Sequence, residues 1–258
     1  MDRREYLGIG ASLGAAALAG CGGFVAAANA PAPAVPTDRL ESGGWQRTAE
    51  DSGTVFEETY GPVTVEAVQH TLRYEDAALR ADIAGRTLGQ IDTALSVWFA
   101  SRVDFSPNLD NLPGGVGQQQ IVDRVRTNAR DQFEQQMENQ GLSDIRKSGE
   151  GTIEIDTGET AETVQLSAVY PFEGITFQVT EGERVEIPPT DIGIEAVLAV
   201  WHHGDYTLIS GGAYPAQNFE NSIESDLSEG ITVSVDIDLG LEPAAYREEV
   251  RSLIAGVE

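Results

Sequence analysis

The chain reads as an α+β protein: a mainly antiparallel β-sheet with two packed helices, an α/β sandwich. Three observations predict this. Most of the sequence beyond residue 60 alternates apolar with polar residues, the mark of strands with one buried face. Two stretches instead place apolar residues every three or four positions, so each is a helix with one side to bury. The order is strands, a helix, a run of strands and a C-terminal helix, which an antiparallel sheet with helices laid on it satisfies most simply.

Thr37 is placed to cap a short helical turn through Leu40, ended by Gly43-Gly44. Val63, Val65 and Ala67 share one strand face, and the phase then shifts to Val68, His70, Leu72 and Tyr74. A bulge near Ala67 is expected. Leu95, Val97 and Phe99 form another strand, ending before Pro107. Ile121, Val125, Ala129, Phe133 and Met137 recur every four residues, which predicts a helix over 121–140 stopped by Gly141.

Ile153 and Ile155 lead across Thr157-Gly158 into Val164, Leu166, Ala168 and Tyr170, again alternating. Ile175, Phe177 and Val179 pair as a hairpin with Val185 and Ile187 around Glu181-Gly182-Glu183. Residues 196–201 are apolar on both faces, as a central strand would be. His203-Gly204-Asp205 turns that strand back into 206–214. Residues 231–239 alternate as a half-exposed strand. Pro243 opens the last helix at its first position, with Tyr246, Val250, Leu253, Ile254 and Val257 in one stripe.

The N-terminus carries a different kind of signal. Arg3 and Arg4 sit in a charged segment, Asp2-Arg3-Arg4-Glu5, followed by a Gly/Ala-rich apolar stretch over 8–20. Leu18-Ala19-Gly20 then precedes Cys21, the only cysteine in the chain. Together these read as a twin-arginine export signal ending in a lipoprotein cleavage box, with lipid on Cys21. The apolar stretch is shorter than the roughly 20 residues of a transmembrane helix. The expected organisation is a signal over 1–20, a lipidated cysteine and Ala/Pro-rich tether over 21–37, and one α+β domain over 38–258. The protein is then exported and anchored to the outer face of the cell membrane. A single cysteine excludes an intrachain disulfide.

Composition narrows the environment. Forty-two acidic residues face sixteen basic ones, for a net charge of -26, and Lys147 is the only lysine. Such a charge repels itself at low ionic strength and is screened at molar salt, where the Debye length is about 3 Å. A long Lys stem is a liability where salt strengthens apolar association, whereas carboxylates stay hydrated. The balance predicts a halophilic protein. It argues against nucleic acid as a partner, since no basic patch is present to displace phosphate counterions.

The signal, the Tyr74-Glu75 strand end, the 121–140 helix and Ala213-Tyr214-Pro215 ahead of the last helix together resemble a family of haloarchaeal twin-arginine lipoproteins. That resemblance implies a cell-surface location and carries no activity with it. The element order over 45–258 is similar to the Mog1/PsbP-like α/β sandwich, also found in bacterial surface lipoproteins.

Sites of chemistry are harder to find. Gly114-Gly115-Val116-Gly117 lacks the Lys and Ser/Thr of a phosphate loop, and reads as a connection ahead of a helix. His202, His203 and Asp205 invite a metal, but neighbours on a strand point to opposite faces. His70 shares its phase with apolar residues and reads as a core histidine. Asp236 and Asp238 lie on one strand face, where a solvated acidic face outweighs a cation site. Trp98 and Trp201 read as core, while Trp45 is the candidate for an exposed partner surface. No cofactor is implied. The expected function is a binding or accessory domain for a protein partner or small ligand, with a surface hydrolase using an unidentified carboxylate or histidine as the alternative.

Overall fold

The structure, a computed structural model, describes residues 30–60, 63–87, 89, 91–109, 118–180, 183–228 and 231–258. Arg3, Arg4, Leu18, Ala19, Gly20 and Cys21, expected as an export signal and lipid site, and the glycine run 114–117 lie outside them.

Seven antiparallel strands form the central sheet, in the order β1-β2-β3-β9-β8-β5-β4. They are β1 (Trp45–Tyr60), β2 (Val63–Asp76), β3 (Val97–Ser106), β4 (Ser143–Glu154), β5 (Thr160–Phe172), β8 (Thr190–His203) and β9 (Tyr206–Pro215). Two separate ribbons, β6 (Ile175–Thr180) with β7 (Glu183–Ile187) and β10 (Glu220–Ser228) with β11 (Ile231–Asp238), stand outside it. The helices are α1 (Thr37–Ser42), α2 (Ala77–Arg86), α3 (Gln118–Asn139) and α4 (Pro243–Ala255). The fold is a mainly antiparallel α+β sandwich.

Two cores flank the sheet. On one face α3 presses Ile121, Val125, Ala129, Phe133 and Met137 against Leu166, Leu198, Ile209 and Val103, and α2 adds Leu79 and Ile83 to the same cluster. On the other face α4 buries Val250, Leu253, Ile254 and Val257 against Trp98, Val197, Ala199, Trp201 and Leu208. Each such fully buried aliphatic contributes roughly 1.5–3 kcal/mol of transfer free energy. Residues 196–201 are buried on both faces because β8 lies inside the sheet with a core on each side. Two glycines of β9, Gly211 and Gly212, permit this. A Cβ on Gly212 would sit 2.7 Å from Val97 O and 2.9 Å from Val250 Cγ1, so α4 rests directly on the β9 backbone.

The structure departs from the sequence expectations at several places. The longest strand, β1, was not predicted, because its exposed middle, Glu50-Asp51-Ser52-Gly53, has no apolar alternation to reveal it. It is an edge strand, and charge there protects the edge. The bulge lies on β1 rather than at Ala67: register slips between Thr54 and Phe56, opposite Val68 and Ala67. β2 itself pairs with β3 without a break. Its change of apolar phase comes from both of its faces being covered.

Thr37 is not the helix cap either. Pro36 holds that position and supplies no side-chain hydrogen bond. Helix α2 follows an unforeseen cap, in which the Asp76 carboxylate accepts from Leu79 N at 2.8 Å. Residues 30–36, expected as tether, join the domain: Ala30 and Pro33 are buried, while Pro31, Ala32 and Ala34 stay exposed. Ala34 exchanges two backbone hydrogen bonds with Glu258, at 2.8 and 3.0 Å.

Candidate functional site

Helix α3 carries two parallel rows of side chains that matter for the site. Val125, Ala129, Phe133 and Met137 make the buried row. One position earlier in each turn, Gln132, Gln136 and Gln140 repeat every fourth residue beside it. Neighbours at i and i+4 stack along a helix face, so this amide row borders the apolar one and overhangs the sheet. Asp131, Glu134 and Glu138 fall on neither row.

Between the amide row and the sheet lies a cleft of about 670 Å³, within the size range of small-molecule sites. The α3 side supplies Gln132, Gln135, Gln136, Asn139 and Gln140, with Phe133 and Met137 deeper. The sheet side is the α3-facing surface of β2 and β3, where Gln69, Thr71 and Ser101 meet Phe99, and Tyr170 of β5 closes one flank.

The sheet floor is a small hydrogen-bonded network. Thr71 and Ser101 are direct cross-strand partners, and their hydroxyls lie 2.7 Å apart. Gln69 Nε2 donates to both, at 2.8 and 3.0 Å. Ser101 is fully buried and Thr71 nearly so. Buried hydroxyls are tolerated only when bonded in this way.

The charged groups at the cleft are already paired. Arg73 reaches Asp51, and Arg80 holds both oxygens of Glu75 at 3.0 and 3.2 Å. By contrast, the side chains of Gln132, Gln135, Gln136 and Asn139 make no hydrogen bond among the described residues. The walls thus offer neutral amide donors and acceptors beside the ring of Phe99, which tilts against Phe133 with centroids 5.4 Å apart. Such a surface can hold a neutral molecule of mixed polarity. Among the described residues lining it, none form the nucleophile-and-base pair that acyl or glycosyl transfer needs.

The residues singled out from sequence are scattered elsewhere. His70 is half-buried rather than core, with Nδ1 2.9 Å from Ala30 O and Nε2 2.9 Å from Glu50 Oε1. It clips the N-terminal segment to β1. His202 points to the α3 side of β8, while His203 is on the other face, bonded to Glu159. Asp205 accepts from Asn108 Nδ2 at 3.2 Å. Asp236 is exposed and bonded to Ser222. Asp238 accepts from Asn218 Nδ2 at 2.9 Å and Gly240 N at 2.7 Å, and these bonds hold its carboxyl below the usual range. Among the described residues no three metal-ligating side chains converge.

Trp98 and Trp201 are core, at 1% and 4% exposure. Trp45 is core too, at 6%, which removes it as an exposed partner surface. The Gly43-Gly44 break ahead of it suggests an exposed edge, yet α4 returns from the far end of the chain to cover it. The cleft itself was missed. Its one sequence signal was the glutamine row at 132, 136 and 140, which is anomalous on a helix of so acidic a chain.

Fold and cleft together define a sandwich domain with a ligand-sized, neutral-walled cleft between one helix and the sheet. The chain belongs to the family described as a domain of unknown function, DUF6517, whose model matches residues 32–258. No curated protein and no solved structure matches it.

Proposed function

We propose that this protein is a lipid-anchored surface domain of a halophile that binds a small ligand in the cleft between α3 and the sheet. The cleft carries the reading: about 670 Å³, a bonded polar floor, and a helical wall of unpaired amides. Anchoring rests on Arg3-Arg4 and the Leu18-Ala19-Gly20-Cys21 box. Two lipid chains on Cys21 would hold it stably where one would be marginal. The halophilic setting rests on the charge of -26 and the single lysine. The strand–helix–strand–helix order supports a likeness to the Mog1/PsbP-like sandwich and to haloarchaeal surface lipoproteins.

Two measurements test this on the full chain in high salt. Intact mass of the wild type should show a two-chain lipid at Cys21, and Cys21→Ser should leave washed membranes. A fragment set screened by NMR should perturb the side-chain amide resonances of Gln132 and Gln136 before others. Retention of Cys21→Ser on membranes refutes the anchor. Perturbation confined to surfaces away from the cleft refutes the binding site.

A further inference from the structure

We infer that the cleft between α3 and the sheet is built for a neutral, hydroxyl-rich ligand, a short saccharide. This rests on the cleft being a binding site, as proposed above, and adds the chemistry of what it takes.

Charge comes first. The chain has a net charge of -26, a field that repels anions and gathers cations. Yet among the described residues the cleft walls are almost free of carboxylates. Of the α3 residues from 132 onward, those lining the cleft are amides or apolar, and Glu134 and Glu138 are absent from the lining. The two charged lining residues, Arg73 and Glu75, are each neutralised by a protein partner, Asp51 and Arg80. Among the described lining residues, an anionic ligand would meet no free cation, and a cationic one no free carboxylate. A neutral occupant is what remains.

Polarity then separates saccharide from hydrocarbon. An aliphatic chain in this space would strand the amides of Gln132, Gln135, Gln136 and Asn139, and desolvating unpaired amides is costly. Each amide offers both donor and acceptor, the match for ring hydroxyls that also act as both. Opposite them, the half-buried ring of Phe99 and the phenol of Tyr170 supply apolar surface for the C–H face of a sugar ring. The Gln69–Thr71–Ser101 network fixes the floor beneath. The two walls therefore present polar rows on either side of an aromatic surface.

The test uses the full chain in molar KCl, with side-chain amide NMR as the readout. The probes are neutral disaccharides of glucose, galactose and mannose, a glucuronic-acid disaccharide, 1-octanol, and a neutral Ser/Gly/Thr peptide. The expected result is that a neutral disaccharide shifts the Gln132 and Gln136 amides at millimolar concentration. The Gln132→Ala/Gln136→Ala double variant, both positions being on a helix surface, should weaken that binding roughly tenfold or more while melting as the wild type does. The glucuronic-acid analogue should bind more weakly by a similar factor. Cleft shifts from octanol or from the peptide, with none from any disaccharide, overturn the saccharide assignment and leave the cleft as a binding site. Cleft amides indifferent to every probe overturn both.

Discussion

Trp45 Nε1 donates a 2.9 Å hydrogen bond to Glu249 Oε1, joining the first residue of β1 to a helix 204 residues further along the chain. The bond explains how a tryptophan beside a glycine break becomes core, because α4 closes over it. It also puts a carboxylate in a half-buried site. Burial, and secondarily the charge of Asp76, push the Glu249 carboxyl above its ordinary value of about 4.5, against the lowering effect of the Trp45 bond.

The sign of the resulting pH dependence follows. A carboxyl whose folded pKa is raised binds its proton more tightly when folded, so the native state gains stability as pH falls through that raised value towards 4.5. Above that window the ionised form costs stability. Glu249→Gln keeps an acceptor for Trp45 and removes the charge. The variant should be at least as stable as wild type at pH 7, with the difference shrinking as pH approaches 4.5. Glu249→Ala strands the indole N–H and should lose about 1–3 kcal/mol relative to Glu249→Gln at every pH. Thermal melts of the three proteins across pH in molar KCl decide it; a wild-type advantage over Glu249→Gln that grows with rising pH contradicts the assignment.

Gly212→Ala should destabilise the domain by about 1–3 kcal/mol, the usual scale of overpacking. The added methyl meets the Val97 carbonyl on one side and Val250 on the other, so α4 must lift from β9. Gly53→Ala is the control: nothing lies within 4 Å of its Cβ, and it should change stability by less than about 0.5 kcal/mol. Equal melting of the two variants would mean that α4 does not bear on the sheet as described.

Salt should govern folding as a whole. Most of the described arginines already hold a carboxylate, as in Arg39–Asp156, Arg126–Glu162 and Arg247–Glu195. The acidic surplus therefore has little basic charge left to meet it. The full chain should show native circular dichroism at molar KCl and lose structure progressively in dilute buffer, as the screening length grows. An unchanged thermal midpoint across that range would refute the halophilic reading. Rescue in dilute buffer by micromolar calcium would point to a specific cation site instead.

The fold was legible wherever one face of an element is wet and the other dry. The α3 and α4 stripes show in sequence because burial of one helical side imposes a period near 3.6. β5 and the β8–β9 hairpin show for the related reason of alternation, or of burial on both faces. Where the burial pattern lapses, so did legibility. β1 is polar along its middle because it is an edge, and α2 is short, marked only by Asp76 with Leu79 and Ile83. The candidate site was less legible than the fold. Gln69, Thr71 and Ser101 lie on two strands up to 32 residues apart, and nothing local to either strand says that their side chains meet.

By itself, the sequence determined the α+β class, the two packing helices and the acidic balance, all of which depend on composition or on residues close in the chain. Tertiary structure alone decided that Trp45 is buried, that His70, His202 and His203 stay apart, that residues 30–36 join the domain, and that an amide row on α3 faces hydroxyls on β2 and β3. The physical reason is range. Periodicity and motif report what a segment must do for itself, whereas a cleft arises from which distant segments burial of apolar surface happens to bring face to face.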